Sequence, residues 1–292
     1  MKTTKIVIGD SASITLEIIE KYGMISVPFT LDWPDREALD GNNIFEKMRD
    51  AEKKNITTTP KTSQPSMGLF KKAFETGLSE AETIICITIS SAISGTYNSA
   101  VQAKKMFPED IQKKIFIVDT FNADASESLL AIKAAELAEE GKTGEEIFKI
   151  IESLLPKTLL FGMIESPKWL EAGGRLSHAV AVLLAQMQKL GMRPILTVKD
   201  GLVKPANLRM QAQDTANALF KQFEDVSKKS LSEGKTFKVG ISHADNLEQA
   251  QKLRGLFEAK YPQVKIEFIS LTSLVIGAHV GPGTLICCIL EN

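Results

Sequence analysis

Cysteine and histidine are both scarce in these 292 residues, three of each, and what they fail to form narrows the chemistry. There is no CxxC pair and no Cys/His cluster, so no metal site and no metal cofactor are expected. Cys86 lies in TIICITI, and Cys287 and Cys288 lie in TLICCIL, apolar strand-like runs in which a thiol serves as a small hydrophobe. An excess of one charge is missing as well. The 35 basic and 36 acidic side chains are mixed along the chain and leave a formal net charge of -1, which argues against a nucleic-acid partner. No apolar run approaches the roughly 20 residues that span a bilayer, and MKTTKIVIGD enters a strand-like segment without the apolar stretch of a secretory signal. The expectation is a cytoplasmic protein, with transient membrane contact left open. Internal repeats and low-complexity tracts are absent too.

What is present is an ordinary globular composition, 43% hydrophobic and 24% charged, on a chain long enough for two domains sharing a cleft. Up to about residue 155, β-rich runs alternate with helix-period segments: KIVIGD, a helix around Ile14 to Lys21, MISVPFTL, a helix near Ile44 to Lys54, then TIICITI and IFIVDT with helices after each. Such alternation predicts parallel strands joined by crossover helices, a doubly wound, Rossmann-like α/β domain over 1–155. An alanine- and leucine-rich helix from about Asp124 to Glu140 ends at Gly141, and Thr143 with Glu145 and Glu146 starts another that stops at Pro156. After it come TLLFGMIE, a helix through Ala179 to Leu190, two strands around Asp200-Gly201, a long helix, FKVGISHA, another helix, VKIEFIS and a last pair around Gly281-Pro282-Gly283. The Asp-Gly hairpin signal makes 156–292 an α+β domain with a mixed, partly antiparallel sheet.

Hydroxyl groups dominate the candidate chemistry. In Thr62-Ser63-Gln64-Pro65-Ser66, ahead of the helical stretch Met67 to Glu75, Ser63 suits an N-cap and Pro65 a first turn, so this alone reads as an ordinary helix start. Ser90 to Tyr97 follows the buried strand TIICITI and opens another helix. Ligands of open parallel sheets collect at such strand ends, where free helix N–H groups attract anions, which places Ser94, Gly95 and Thr96 at a ligand. Asp10 and Asp119 close two further strands and are read as shaping that edge. Gly173-Gly174-Arg175 and Gly281-Pro282-Gly283 fit no nucleotide-binding fingerprint. His279 has small neighbours that leave its ring accessible. With Ser94 and an aspartate it has the composition of a hydrolase triad, but no GxSxG elbow surrounds any serine. A hydrogen-bond donor to a ligand is the preferred reading, whereas His178 and His243 are read as structural or exposed.

Taken together, Thr62-Ser63-Gln64-Pro65-Ser66, Ser90 to Tyr97, Gly173-Gly174-Arg175-Leu176-Ser177, Arg193-Pro194-Ile195-Leu196 with Lys199-Asp200-Gly201, and His279 to Gly283 resemble the DegV family of fatty-acid-binding proteins. The motifs fall in family order over nearly the whole chain. The resemblance implies an acyl chain held between the two domains, and a non-catalytic role as the lipid-binding subunit of a fatty acid kinase. A separate ATP-dependent kinase subunit would convert the presented acid to an acyl-phosphate. It further implies that Thr62, Ser63, Ser94 and His279 hold the carboxylate, that Arg209 lies near it, and that Arg175 faces the kinase. The basic run usual after that arginine is replaced here by Met210-Gln211-Ala212.

Physical chemistry is compatible with such a carrier. About fifteen buried methylenes at roughly 0.8 kcal/mol each supply on the order of 12 kcal/mol of gross transfer energy before association costs. A buried carboxylate costs several kcal/mol unless hydrogen bonds replace its water. The competing reading is a Ser94/His279-dependent acyl hydrolase or a transferase.

Overall fold

The computed structural model describes residues 2–210 and 214–292, apart from the side chains of Lys2 and of residues 208–210. Its first half carries strands β1 (Lys2–Gly9), β2 (Ile25–Val27), β3 (Thr30–Asp32), β4 (Lys61–Ser63), β5 (Ala81–Thr88) and β6 (Ile115–Asp119). Between and after them lie helices α1 (Leu16–Tyr22), α2 (Ile44–Lys53), α3 (Met67–Glu80), α4 (Thr96–Lys105), α5 (Glu109–Gln112), α6 (Ala125–Glu139) and α7 (Gly144–Leu154). The second half holds β7 (Thr158–Met163), α8 (Lys168–Ala172), α9 (His178–Lys189), β8 (Met192–Lys199), β9 (Leu202–Met210), α10 (Thr215–Ser232), β10 (Phe237–His243), α11 (Leu247–Lys260), β11 (Val264–Leu271), α12 (Leu274–Val280) and β12 (Leu285–Glu291). No described helix is long and apolar enough to cross a membrane.

The first sheet is parallel throughout, in the order β2-β1-β5-β6. Its strands carry apolar runs, over residues 6–8, 84–87 and 115–118, because both faces are covered. On β1, Val7 packs with Phe70, Phe74 and Ala100 of α3 and α4, while Ile6 and Ile8 pack with Leu130 and Ala131 of α6. The second sheet runs β11-β10-β12-β7-β8-β9, with β10 and β11 parallel and every other pair antiparallel. On its outer face Phe220, Phe223, Leu253 and Phe257 of α10 and α11 cover Val239 and Ile241.

Helix α6 lies between the sheets, against β1 on one side and β10 and β12 on the other. A helix buried on all sides must be apolar nearly all round, and Leu129 to Ile132, Ala134 and Ala135 are all buried. One core therefore runs from Ile8 and Ile85 through this helix to Ile286, Cys288 and Leu290. The three thiols are free and buried, and Cys287 and Cys288 face opposite sides of β12. The 3-10 turn Leu155–Lys157 is the covalent link between the layers.

Three local expectations need correction. The run MISVPFTL is two strands: β2 joins the main sheet, whereas β3 leaves it to pair antiparallel with β4. Ser63 is not an N-cap, because that pairing keeps Thr62 and Ser63 extended, opposite Leu31 and Thr30. The cap of α3 is Ser66, whose hydroxyl accepts from Leu69 N–H at 3.3 Å. The pair around Gly281-Pro282-Gly283 consists of a helix and a strand, since Ser273 caps α12 and overrides the β-branched run behind it. By contrast, Thr143 and Glu146 form a reciprocal capping box, and Asp200 and Gly201 both adopt the positive φ of a tight hairpin turn.

Candidate functional site

Thr62 reaches its place through the excursion between β3 and β4. Within it, Trp33, Phe45 and Met48 pack against Trp169 and Ala244 of the second half, and the Arg49 guanidinium donates to both carboxylate oxygens of Glu165 at 3.0 Å. So pinned, the β3–β4 ribbon sets Thr62 Oγ1 2.8 Å from His279 Nε2. The imidazole belongs to α12 and is buried. Its Nδ1 has no hydrogen-bond partner among the described residues and faces the backbone of Gly173, where a Cβ would stand 2.1 Å from it. Burial, and then the neighbouring Arg175 charge, push the His279 pKa down to about 4. At neutral pH the ring is therefore uncharged, able to donate one hydrogen bond and accept one.

The glycine pairs thus have packing roles. Gly173 gives the imidazole room, and Gly281, at φ 76°, lies where a Cβ would meet the Trp169 ring at 2.1 Å. Half-buried Arg175 donates from Nε to the Ile93 carbonyl at 3.3 Å and from Nη1 to the Gly173 carbonyl at 2.5 Å.

The second hydroxyl group stands where β5 runs into α4. Its loop is held by Asp119, which accepts from Ser91 N–H and Phe121 N–H at 3.1 and 3.0 Å, and by Ser90, which donates to the Gly201 carbonyl of the β8–β9 turn at 2.9 Å. Asp10 plays a similar part beside it, accepting from Phe29 N–H at 3.1 Å. Ser94 Oγ is 2.8 Å from Thr96 Oγ1. Gly95 is the N-cap of α4, and a Cβ there would stand 2.3 Å from the Gln64 amide. That glycine lets the segment carrying Thr62 and Ser63 lie directly against Ser94.

Several of these groups line a cavity of about 440 Å³, within the about 300–1,000 Å³ usual for small-molecule sites. Thr62, Ser63, Gln64, Ser94, Arg175 and His279 are among its polar lining, while Leu160, Leu196, Val198 and Ile286 of the second sheet, with Ile164 just past β7, supply much of its apolar wall. Gly95 and Thr96 stand behind Ser94 and do not line it. Arg209 is paired on β9 with Arg193, but its side chain lies outside the described residues. His178, exposed, contacts Glu171, and His243, buried, accepts from Asn246 N–H.

Two features bear on chemistry. Ser94 is engaged by Thr96 and His279 by Thr62, and neither contact is the serine–imidazole pair that activates a nucleophile. Among the described residues no group of three or more His, Cys, Asp or Glu side chains is placed to hold a metal ion. Sequence reasoning missed Asp124, which lines the cavity wall and accepts hydrogen bonds from Ser13 on one oxygen and Ser242 on the other. Burial raises its pKa, and raises that of Glu127, which accepts from Ser11 at 2.8 Å, well above the usual carboxylate range. No local motif marks Asp124, because its partners lie more than a hundred residues away.

The model of the family described as "Uncharacterised protein, DegV family" matches residues 3–292. Among curated proteins, the chain is 30% identical to a fatty acid-binding protein of Thermotoga maritima, over 96% of this chain and 95% of the relative. Among solved structures it is similar to DegV, a fatty acid binding protein from Bacillus subtilis, at 26% identity, TM-score 0.79 and full coverage of both chains. It is also similar in fold to the Streptococcus pneumoniae Fatty Acid Kinase B3 protein loaded with linoleic acid, at 21% identity and TM-score 0.80, covering 99% of this chain and 100% of that one.

Proposed function

The chain belongs to the DegV family, and from that premise we propose that it binds one long-chain fatty acid and presents the carboxylate to an ATP-dependent kinase subunit for acyl-phosphate formation. In this reading residues 1–155 supply most of the head-group site and 156–292 close over the acyl chain. The protein is a carrier, not itself a catalyst. The observation that carries the reading is a largely apolar cavity lined also by clustered hydroxyls and a neutral imidazole.

Such a lining suits a ligand that must be released. Thr62, Ser63 and Ser94 can donate to a carboxylate, and a neutral His279 holds Thr62 in place without forming a permanent ion pair. Gly95 and Thr96 orient Ser94. Ser63 and Gln64 are exposed, which leaves the head group within reach of another protein. Arg175 is assigned to the kinase-facing side, and Arg209 to the vicinity of the carboxylate, both by family resemblance.

The test is titration of delipidated protein with oleate and with oleyl alcohol. Oleate should bind at one per chain, and the alcohol, which has the same tail and no carboxylate, far more weakly. Equal affinities would remove the head-group clamp. Oleate carried by the protein should become acyl-phosphate only when a fatty acid kinase subunit and MgATP are added. Turnover of p-nitrophenyl acyl esters by the protein alone, abolished by Ser94→Ala, would support the hydrolase instead.

A further inference from the structure

Gly162 occupies an unusual place in the cavity wall. It lies inside β7, flanked along the chain by Leu160 and Ile164, which line the same cavity, and across the sheet by Leu196 of β8 and Ile286 of β12. The backbone does not require a glycine there, since its φ is not among the positive ones. Packing does not require one either: a Cβ would meet Ile286 Cγ1 at 3.4 Å and the Leu285 carbonyl at 3.6 Å, ordinary contact distances. Glycine within a strand weakens it and often marks a close approach by a ligand. Four bulky aliphatic residues surround this gap, so the wall has a local notch at one strand position and is not uniformly wide.

From this notch we infer that Gly162 is a specificity-determining residue, selecting acyl chains that are bent at that depth, the cis-unsaturated class, over straight saturated chains. An extended polymethylene chain runs along the wall and leaves the notch empty. A cis double bond displaces the chain axis sideways, and the space above Gly162 accommodates that displacement. The empty notch also disfavours the straight chain, because the atoms lining a void lose their contacts on one side. The inference rests on the fatty-acid-binding reading and adds the class of acid to it.

The test compares oleate with stearate, which has the same carbon count and lacks the cis bond, on delipidated wild type, Gly162→Ala and Gly162→Val. Wild type should prefer oleate. The two variants, which add one carbon (Ala) and three (Val), should lose oleate affinity progressively, by about tenfold or more for Val, as one misfitting methylene in a hydrophobic pocket already does, while stearate affinity changes less and the preference falls or inverts. Gly162→Ala meets only ordinary contacts, so it decides the question even if the larger variant fails to fold. Binding of both acids with the same oleate-to-stearate ratio in all three proteins would overturn the inference, as would a wild type that prefers stearate. A wild type that binds neither acid would instead refute the carrier function, and the inference with it.

Discussion

Replacing Thr62 by Val and Ser94 by Ala together should weaken oleate binding by about a hundredfold or more, since each hydrogen bond to a charged group is worth about 1.5–3 kcal/mol and both donors are lost. Val keeps the β-branched shape of Thr62 and its place in the β3–β4 ribbon, and Ser94 is only half-buried, so the stability cost should be confined to about 1–3 kcal/mol, that of leaving the buried His279 Nε2 without the Thr62 hydroxyl. Some affinity should remain, because the apolar wall of Leu160, Leu196 and Ile286 is untouched and supplies most of the transfer energy. Competition titration against a fluorescent fatty acid reads the affinity, and urea denaturation reads the stability. Unchanged affinity in the double variant would mean that the carboxylate lies elsewhere.

Asp124→Ala should cost the fold about 2–6 kcal/mol, as two buried O–H donors each left without an acceptor cost about 1–3 kcal/mol, although the Ser13 hydroxyl still accepts from Ser273 N–H at 2.8 Å. Those hydroxyls belong to Ser13 and Ser242, one before the first crossover and the other on β10, so the carboxyl group ties the two sheets together across α6. Asp124→Asn keeps a donor and an acceptor and should cost less. The pH dependence follows from the direction of the shift. Burial raises the folded-state pKa above the ordinary 3.8, so between those values the native state holds a proton that the unfolded chain has released. The stability contributed by this group is present below the unfolded pKa and is lost as pH rises through the folded one. Asp124→Asn should remove that part of the slope and leave the part due to Glu127, whose pKa is shifted the same way. Urea denaturation of wild type and both variants across the acid range measures each effect. A cost for Ala no greater than that for Asn would refute the tie.

The parallel first sheet was legible because its strands carry apolar runs bounded by helix-period segments, and the β8–β9 hairpin because Asp200-Gly201 admits few other conformations. Ser63 as a cap was misjudged for a tertiary reason: pairing with β3 keeps the chain extended through Ser63, and the helix is capped three residues later by Ser66. The helical form of Leu274–Val280 was hidden by its β-branched composition, which Ser273 overrides. At the site, the family motifs picked out Thr62, Ser63, Ser94, Arg175 and His279, and the fold places all five on one cavity. Sequence spacing could not show how they are held: the Thr62–His279 contact spans 217 residues, the imidazole owes its room to Gly173, and Asp124 has no local signature at all. Gly162 likewise reads in sequence as one more strand residue. Only its place between Leu196 and Ile286 gives its missing side chain a meaning.

The central claim is occupancy of the cavity by a fatty acid, and native mass spectrometry of the gently purified protein, followed by solvent extraction and identification of the released lipid, tests it most directly. The expected result is a mass increment of one long-chain fatty acid per chain that exchanges with added isotopically labelled oleate and is carried by a smaller fraction of the chains when Thr62 and Ser94 are replaced together. A protein that arrives empty and takes up neither oleate nor palmitate would contradict the claim.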